Sequence, residues 1–160
     1  MIEEVKRSYL EINSIQDLNE YSLDFLKTPN FQLNKFFYKN IGKKHQWVDR
    51  LIWTETQWIN YVSSENVKTY ILKNKDDLVG FFELIFYLEK KEIEIAYFGV
   101  IEEFQNKKIG SYLLSETIKK SFTYNIDRVW LHTCSLDHKN ALHNYISRGM
   151  KIFKTETVMI

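Results

Sequence analysis

Three runs near the middle of the chain carry apolar residues at strand length: VKTYILK (67–73), DLVGFFELIFYLE (77–89) and EIEIAYFGV (92–100). The joins at 74–76 and 90–91 are short and polar, as hairpins require, so the runs predict an antiparallel meander. The period then lengthens. Ile109, Leu113, Leu114, Ile118 and Phe122 fall on one stripe of a helix, and RVWLHTC (128–134) returns to a strand. DHKNALHNYISRG (137–149) predicts another helix, with Asp137 as N-cap, Ala141, Leu142, Tyr145 and Ile146 on one face, and Gly149 as the stop. A last short strand is expected within 151–159. Toward the N-terminus, VKRSYLEI (5–12) alternates as a first strand. SIQDLNEYSLDFL (14–26), opening on Ser14 with Asp17 three residues later, predicts a helix broken at Thr28-Pro29-Asn30. Residues 31–63 read as helical in two pieces separated around Gly42, with Thr54 capping the second. The sum is an α/β chain: a meander, then strand–helix–strand–helix–strand, forming a mixed sheet with helices on both faces.

Composition agrees with one globular domain over residues 1–160. The chain is 44% hydrophobic and 27% charged, and no apolar run approaches the ~20 residues that span a bilayer. The start, MIEEVKRSYLEI, is charged and alternating, so no signal peptide is expected, and the single cysteine, Cys134, excludes an internal disulfide and suits a reducing cytoplasm. Charge is uneven: residues 1–104 carry 13 Lys/Arg against 17 Asp/Glu, while 105–160 carry 9 against 4. A basic C-terminal third suits an anionic ligand and is too modest for a nucleic-acid-binding domain.

The stretch QNKKIGSYLL (105–114) passes from polar and basic to apolar with Gly110 at the join. It lies between the strand 92–100 and the helix after 109. A helix N-terminus offers unpaired N–H groups and about half a positive charge, so such a junction holds anions readily. Gly110 allows close backbone approach, while Lys107, Lys108 and Ser111 add donors. It lacks the glycines of a Walker loop or a dinucleotide fingerprint. In the preceding strand, alternation turns Ile93, Ile95, Tyr97 and Gly99 one way and Glu94, Ala96, Phe98 and Val100 the other. Both faces are mostly apolar, which predicts a central strand. Glu94 is then either a strand-end carboxylate reaching solvent or an ion pair, or a general base in a cleft. Gly99 points to a bulge or to close approach by a ligand or another backbone.

EIEIAYFGVIEEFQNKKIGSYLL followed by VWLHTCSLDHKNALHNYISRGM resembles the GNAT superfamily of N-acetyltransferases. Gln105, Gly110, Asn140, Ala141, Tyr145, Gly149 and Met150 match that family's pattern in order. Lys108 stands at its first signature glycine; if the position needs a positive φ, a lysine there costs about 1 kcal/mol. The resemblance implies acetyl-CoA as co-substrate, lying between the strands 92–100 and 128–134. The backbone of Phe98, Gly99 and Val100 would pair with its pantetheine. Amides of Gln105, Asn106, Lys107, Lys108, Ile109, Gly110 and Ser111 would surround its diphosphate, and Asn140 would contact its arm. The implied reaction is direct transfer to a primary amine in a ternary complex. Glu94, eleven residues before Gln105, would be the general base through water, and Tyr145 the acid toward the leaving thiolate. Residues 1–65 would then supply the first strand and the acceptor-side helices, and 66–160 the acetyl-CoA-binding core.

Each of these assignments has a plainer rival. Tyr145 shares a face with Leu142 and Ile146 and so suits core packing. Glu83, inside GFFELIF, is an alternative base or a border of the acceptor pocket. Cys134 reads as a core cysteine, and His132, Cys134, His138 and His143 have no zinc spacing, so no metal is expected. The aromatics Phe36, Phe37, Tyr38, Trp47, Trp53 and Trp58 suit a core more than an acceptor pocket. Expected partners are acetyl-CoA and an amine, a small molecule first, with a homodimer compatible and neither nucleic acid nor membrane. A non-catalytic acyl-CoA-binding or regulatory module on the same fold is the alternative.

Overall fold

The structure, a computed structural model, describes residues 20–104, 108–132, 145–147 and 149–153, together with the backbone of residues 2–5. The elements are β1 (Ile2–Val5), β2 (Tyr21–Phe25), α1 (Phe31–Gly42), α2 (Glu55–Val62), β3 (Val67–Asn74), β4 (Asp77–Tyr87), β5 (Glu92–Val100), α3 (Ile109–Phe122), β6 (Arg128–Leu131) and β7 (Met150–Ile152). They form a seven-stranded sheet in the order β2-β3-β4-β5-β6-β1-β7. Every pairing is antiparallel except β5 with β6. This is the expected mixed α/β fold, with β5 at the centre of the sheet.

Local chemistry explains the elements that match their sequence pattern. Asn30 caps α1 by accepting from the Gln32 N–H at 3.1 Å. Thr54 and Gln57 form a reciprocal capping box at the start of α2. Gly149 adopts φ 95° and donates its N–H to the Ile146 carbonyl at 3.0 Å, ending a helical stretch of which residues 145–147 are described.

One expectation is corrected. Within the stretch expected as a helix over 14–26, residues 21–25 are the strand β2, paired from Tyr21↔Asn74 to Phe25↔Tyr70; residues 14–19 lie outside the described residues. The open edge of β3 decides this, because cross-strand bonding overrides a short helical stripe. A strand spans Ile2–Val5; of the stretch expected as the first strand over 5–12, residues 6–12 lie outside the described residues. This β1 inserts between β6 and β7, antiparallel to both.

The larger core fills the space between the sheet and α3, with Leu72, Phe82, Leu84, Ile93, Ile95, Leu113, Leu114 and Ile118 buried. A smaller core covers the other face, where Phe37 and Ile41 of α1 meet Ile71 and Phe81, with Trp47 and Tyr97 against them. Between these faces β5 carries a bulge. Tyr97 opposes Glu83 but Ile95 opposes Leu84, so Ala96 is the extra residue. The bulge resets the alternation expected for this strand. Ile93, Ile95, Phe98 and Val100 share the larger core, while Tyr97 turns to the opposite face. Gly99 serves that second face: a Cβ there would lie 2.6 Å from Ile41 Cγ2, so the glycine makes room for α1.

Candidate functional site

The parallel ladder between β5 and β6 is short, running from Glu92↔Arg128 to Ile95↔Leu131. There β6 ends, while β5 passes through its bulge and continues along β4 to Val100↔Gly80. From Ala96 onward the outer edge of β5 pairs with no strand among the described residues. An opening bordered by Phe98, Gly99 and Val100 results, at the carboxyl end of the parallel pair, where ligands of mixed sheets bind.

Past β5 the chain returns through a short helical turn, Glu102–Phe104, and enters α3 at Lys108. Lys108 is left-handed, φ 63° and ψ 9°, so this position does require a positive φ. The backbone keeps the glycine-type turn despite the lysine, and the Lys108 carbonyl accepts from the Tyr112 N–H at 3.1 Å. No side chain caps the helix through Lys108, and the first turn carries no acidic residue. Ile109 is buried in the core, which fixes the start of α3 against the sheet. A Cβ on Gly110 would meet nothing within 4 Å, so the protein's own packing does not demand that glycine. Gln105, Asn106, Lys107 and Asn140 lie outside the described residues.

Glu94 stands two residues before the bulge, on the face opposite the larger core. Its side chain is 15% exposed, with Oε2 3.8 Å from His132 Nε2. The Tyr87 hydroxyl donates to Oε1 at 2.8 Å. Partial burial, then this bond, push the Tyr87 hydroxyl up to about 12. The Trp130 ring lies beside Tyr87 and edge-on to His132, with centroids at 5.8 and 5.2 Å, and its Nε1 is buried without a partner. Glu94 is therefore neither locked in an ion pair nor fully solvated.

Glu83 is different. It is fully buried and takes the Tyr61 hydroxyl at 2.7 Å, the Asn34 Nδ2 at 2.8 Å and the Arg50 guanidinium at 3.0 Å. Asn34 also donates to Thr69 Oγ1 at 2.9 Å. Burial is the largest single effect and works to lower the Arg50 pKa, but the Glu83 carboxylate together with the Tyr61 and Tyr97 hydroxyls holds the guanidinium above its ordinary value. Burial, then the same carboxylate, drive the Tyr61 hydroxyl far above the phenol range. Such a saturated carboxylate is no acceptor for a substrate proton. Arg50, Tyr61 and Asn34 were not singled out in the sequence. The three-residue spacing of Trp47, Arg50 and Trp53, all turned inward from one irregular connection, is the one trace of Arg50 in the sequence, and Tyr61 and Asn34 leave none.

Tyr145 is half-buried and packs against the larger core. Of the aromatics noted above, Phe37, Tyr38 and Trp58 are core residues, while Phe36 is 40% exposed. Cys134, His138 and His143 lie outside the described residues. Among the described residues no three His, Cys, Asp or Glu side chains cluster as a metal set, and no helix is long and apolar enough to cross a membrane.

A model of the acetyltransferase (GNAT) family matches residues 20–150. No curated protein matches the chain. Among solved structures, an aminoglycoside acetyltransferase from an uncultured soil metagenomic sample, in complex with trehalose, superposes with a TM-score of 0.67 at 17% identity, over 89% of this chain and 94% of that one. An IAA acetyltransferase from Bacillus cereus gives 0.63 at 22% identity, over 83% and 79%. The ribosomal-protein-S18-alanine N-acetyltransferase from Escherichia coli gives 0.62 at 16% identity, over 79% and 75%. At these identities the likeness is one of fold.

Proposed function

The chain belongs to the GNAT acetyltransferase family and is an acyltransferase, and we propose that it moves the acetyl group of acetyl-CoA directly to a primary amine of a small molecule. The family uses acetyl-CoA as its co-substrate. The observation that carries the proposal is the parting of β5 and β6 beyond Ile95 and Leu131, next to the uncapped start of α3. The residues fit such a ligand. The side of β5 at Phe98, Gly99 and Val100 that faces away from β4 suits the pantetheine amides, and the first-turn amides at Ile109, Gly110 and Ser111 suit the diphosphate. Gln105, Asn106, Lys107, Lys108 and Asn140 complete the cofactor set on the strength of the family pattern.

Within this reaction Glu94, through a water, removes a proton from the ammonium form of the acceptor. An amine near pKa ~10 is otherwise protonated at neutral pH and has no lone pair to offer. The freed nitrogen forms a bond to the thioester carbonyl carbon, the C–S bond breaks, the thiolate takes a proton from the Tyr145 hydroxyl, and the second proton that the nitrogen loses on becoming an amide returns through solvent to the Tyr145 phenolate. Glu94 is preferred to Glu83 because Glu83 is fully buried and held by three side-chain donors, while Glu94 is partly exposed with one. The lone Cys134 favours a cytoplasmic setting. Thiol release from acetyl-CoA, measured across a panel of amine classes, tests the proposal. Turnover with at least one small primary amine is expected. Acetyl-CoA binding without release for any amine would favour the acyl-CoA-binding module instead.

A further inference from the structure

Arg50 belongs to the irregular connection between α1 and α2, and the reaction above makes no use of it. Its guanidinium, buried against Glu83, is ringed by Tyr61 at 4.1 Å, Tyr97 at 4.3 Å, Trp53 at 4.7 Å, Trp58 at 5.4 Å and Tyr38 at 5.6 Å. A carboxylate floor with aromatic walls is a cage for a cation. Here the chain's own cation occupies it.

Stability alone is a poor account of this arrangement. A buried ion pair is often no better than apolar residues of the same volume. This one also leaves Asn34 Oδ1 buried and unpaired, a cost an apolar core avoids. Position gives a better account. Thr69, Glu83 and Tyr97 form one row across β3, β4 and β5. The next step of the register, Leu84 opposite Ile95, is where Ala96 is inserted. The cage thus sits on the bulge, at the point where the pairing of β5 with β6 ends, and its guanidinium touches Tyr97, the residue immediately after Ala96. The connection holds the sheet through Trp47 and Arg50, with Trp53 packed on the guanidinium, while Val48, Leu51 and Ile52 face outward at 49%, 55% and 86% exposure.

We propose that Arg50 is a positioning residue for acetyl transfer: by filling the cage it fixes Tyr97 and holds the bulge that sets the opening between β5 and β6. The inference rests on that opening being the acetyl-CoA site.

Two variants of the full chain test it. Arg50→Met combined with Glu83→Leu exchanges the pair for apolar residues of similar volume, so the protein should fold, with a melting temperature lowered only by what the Tyr61 hydroxyl and the Asn34 amide lose with their acceptor. Misplacement on the scale of 1 Å costs up to ~10²-fold, so its kcat/KM in thiol release should fall by that order and its acetyl-CoA affinity by ~10-fold. The second variant, Arg50→Ala, vacates the cage. Adding methylguanidinium should restore its acetyl-CoA affinity in calorimetry as well as its melting temperature. Wild-type affinity and turnover in the folded double variant would overturn the proposal. So would methylguanidinium that raises the melting temperature of Arg50→Ala without restoring acetyl-CoA binding. If the wild type itself fails to bind acetyl-CoA, the site reading falls first, and this inference with it.

Discussion

On its β4 side, strand β5 borders a region where charge is spent on the fold. On its β6 side it borders one where charge is left available. Glu83 and Glu94 mark the two. Cross-strand partners share a face, so the registers Glu83↔Tyr97 and Ile85↔Glu94 place both carboxylates on the side opposite the larger core. Glu83 is buried completely and bonded to Arg50, Tyr61 and Asn34. Glu94 keeps partial exposure and one hydrogen bond, from Tyr87, with His132 at 3.8 Å. Beside it, across the β5–β6 pairing, the Trp130 indole N–H is buried without a partner among the described residues. Two glutamates on one sheet face therefore stand in opposite surroundings, and the number of donors each one meets sets them apart.

The strongest way to break that contrast is to truncate each carboxylate. Glu83→Ala strands the Arg50 guanidinium without its counter-charge, which costs about 3–5 kcal/mol. At about 2–4 °C per kcal/mol for a chain of this size, the melting temperature should fall by roughly 6–20 °C. Glu94→Ala should move it by no more than about 2 °C, as ordinary part-exposed positions do. Comparable losses in a thermal melt would erase the distinction.

Activity sharpens it from the other direction. Glu94→Gln keeps the shape and loses the carboxylate proposed as the base, so kcat/KM should drop ~10²-fold while calorimetry finds acetyl-CoA affinity unchanged. Because the base serves only to deprotonate the acceptor, the deficit should shrink as the pH rises toward the amine's own pKa of ~10. A deficit that is constant with pH would remove Glu94 from the proton path. Gly110→Asp tests the same open side at its anion end. It meets no neighbour, so folding should survive, while the added charge should weaken acetyl-CoA binding by ~10-fold or more. Tyr145→Phe keeps the ring against the core, so the melting temperature should hold while kcat falls at least ~10-fold. Intact turnover in that variant would make the tyrosine a packing residue.

How much of this was legible before the structure depended on whether the determinant was local. The boundaries of β5 and α3 follow from apolar period alone. Thr54 and Gly149 follow from capping chemistry, while Lys108 at a glycine position came only with the family resemblance. The face each β5 residue takes was not legible, because EIEIAYF goes on alternating straight through the inserted Ala96. Nor was β2, whose strand conformation is imposed by the edge of β3, nor the seat of β1 between two strands distant in sequence. Arg50 was the most hidden. Inside VDRLIW an arginine looks solvated, and only the folded connection carries it to Glu83.

Lys108 supplies the smallest and most discriminating change. Its left-handed backbone costs a side-chain-bearing residue about 1–2 kcal/mol, which glycine avoids. Glycine in turn frees the unfolded chain and gives back about 0.4–1 kcal/mol. Lys108→Gly should therefore stabilise the protein by about 0.5–1 kcal/mol, a rise of roughly 1–4 °C in the thermal melt. If the strain is retained for the sake of the ammonium, the same variant should bind acetyl-CoA a few-fold more weakly at low salt. Screening shortens the reach of an exposed charge, so that deficit should fade as ionic strength rises to ~1 M. A more stable protein with undiminished affinity at low salt would mean that the first-turn amides of α3 hold the diphosphate unaided. The open side of β5 would then owe its anion site to backbone geometry and not to the lysine.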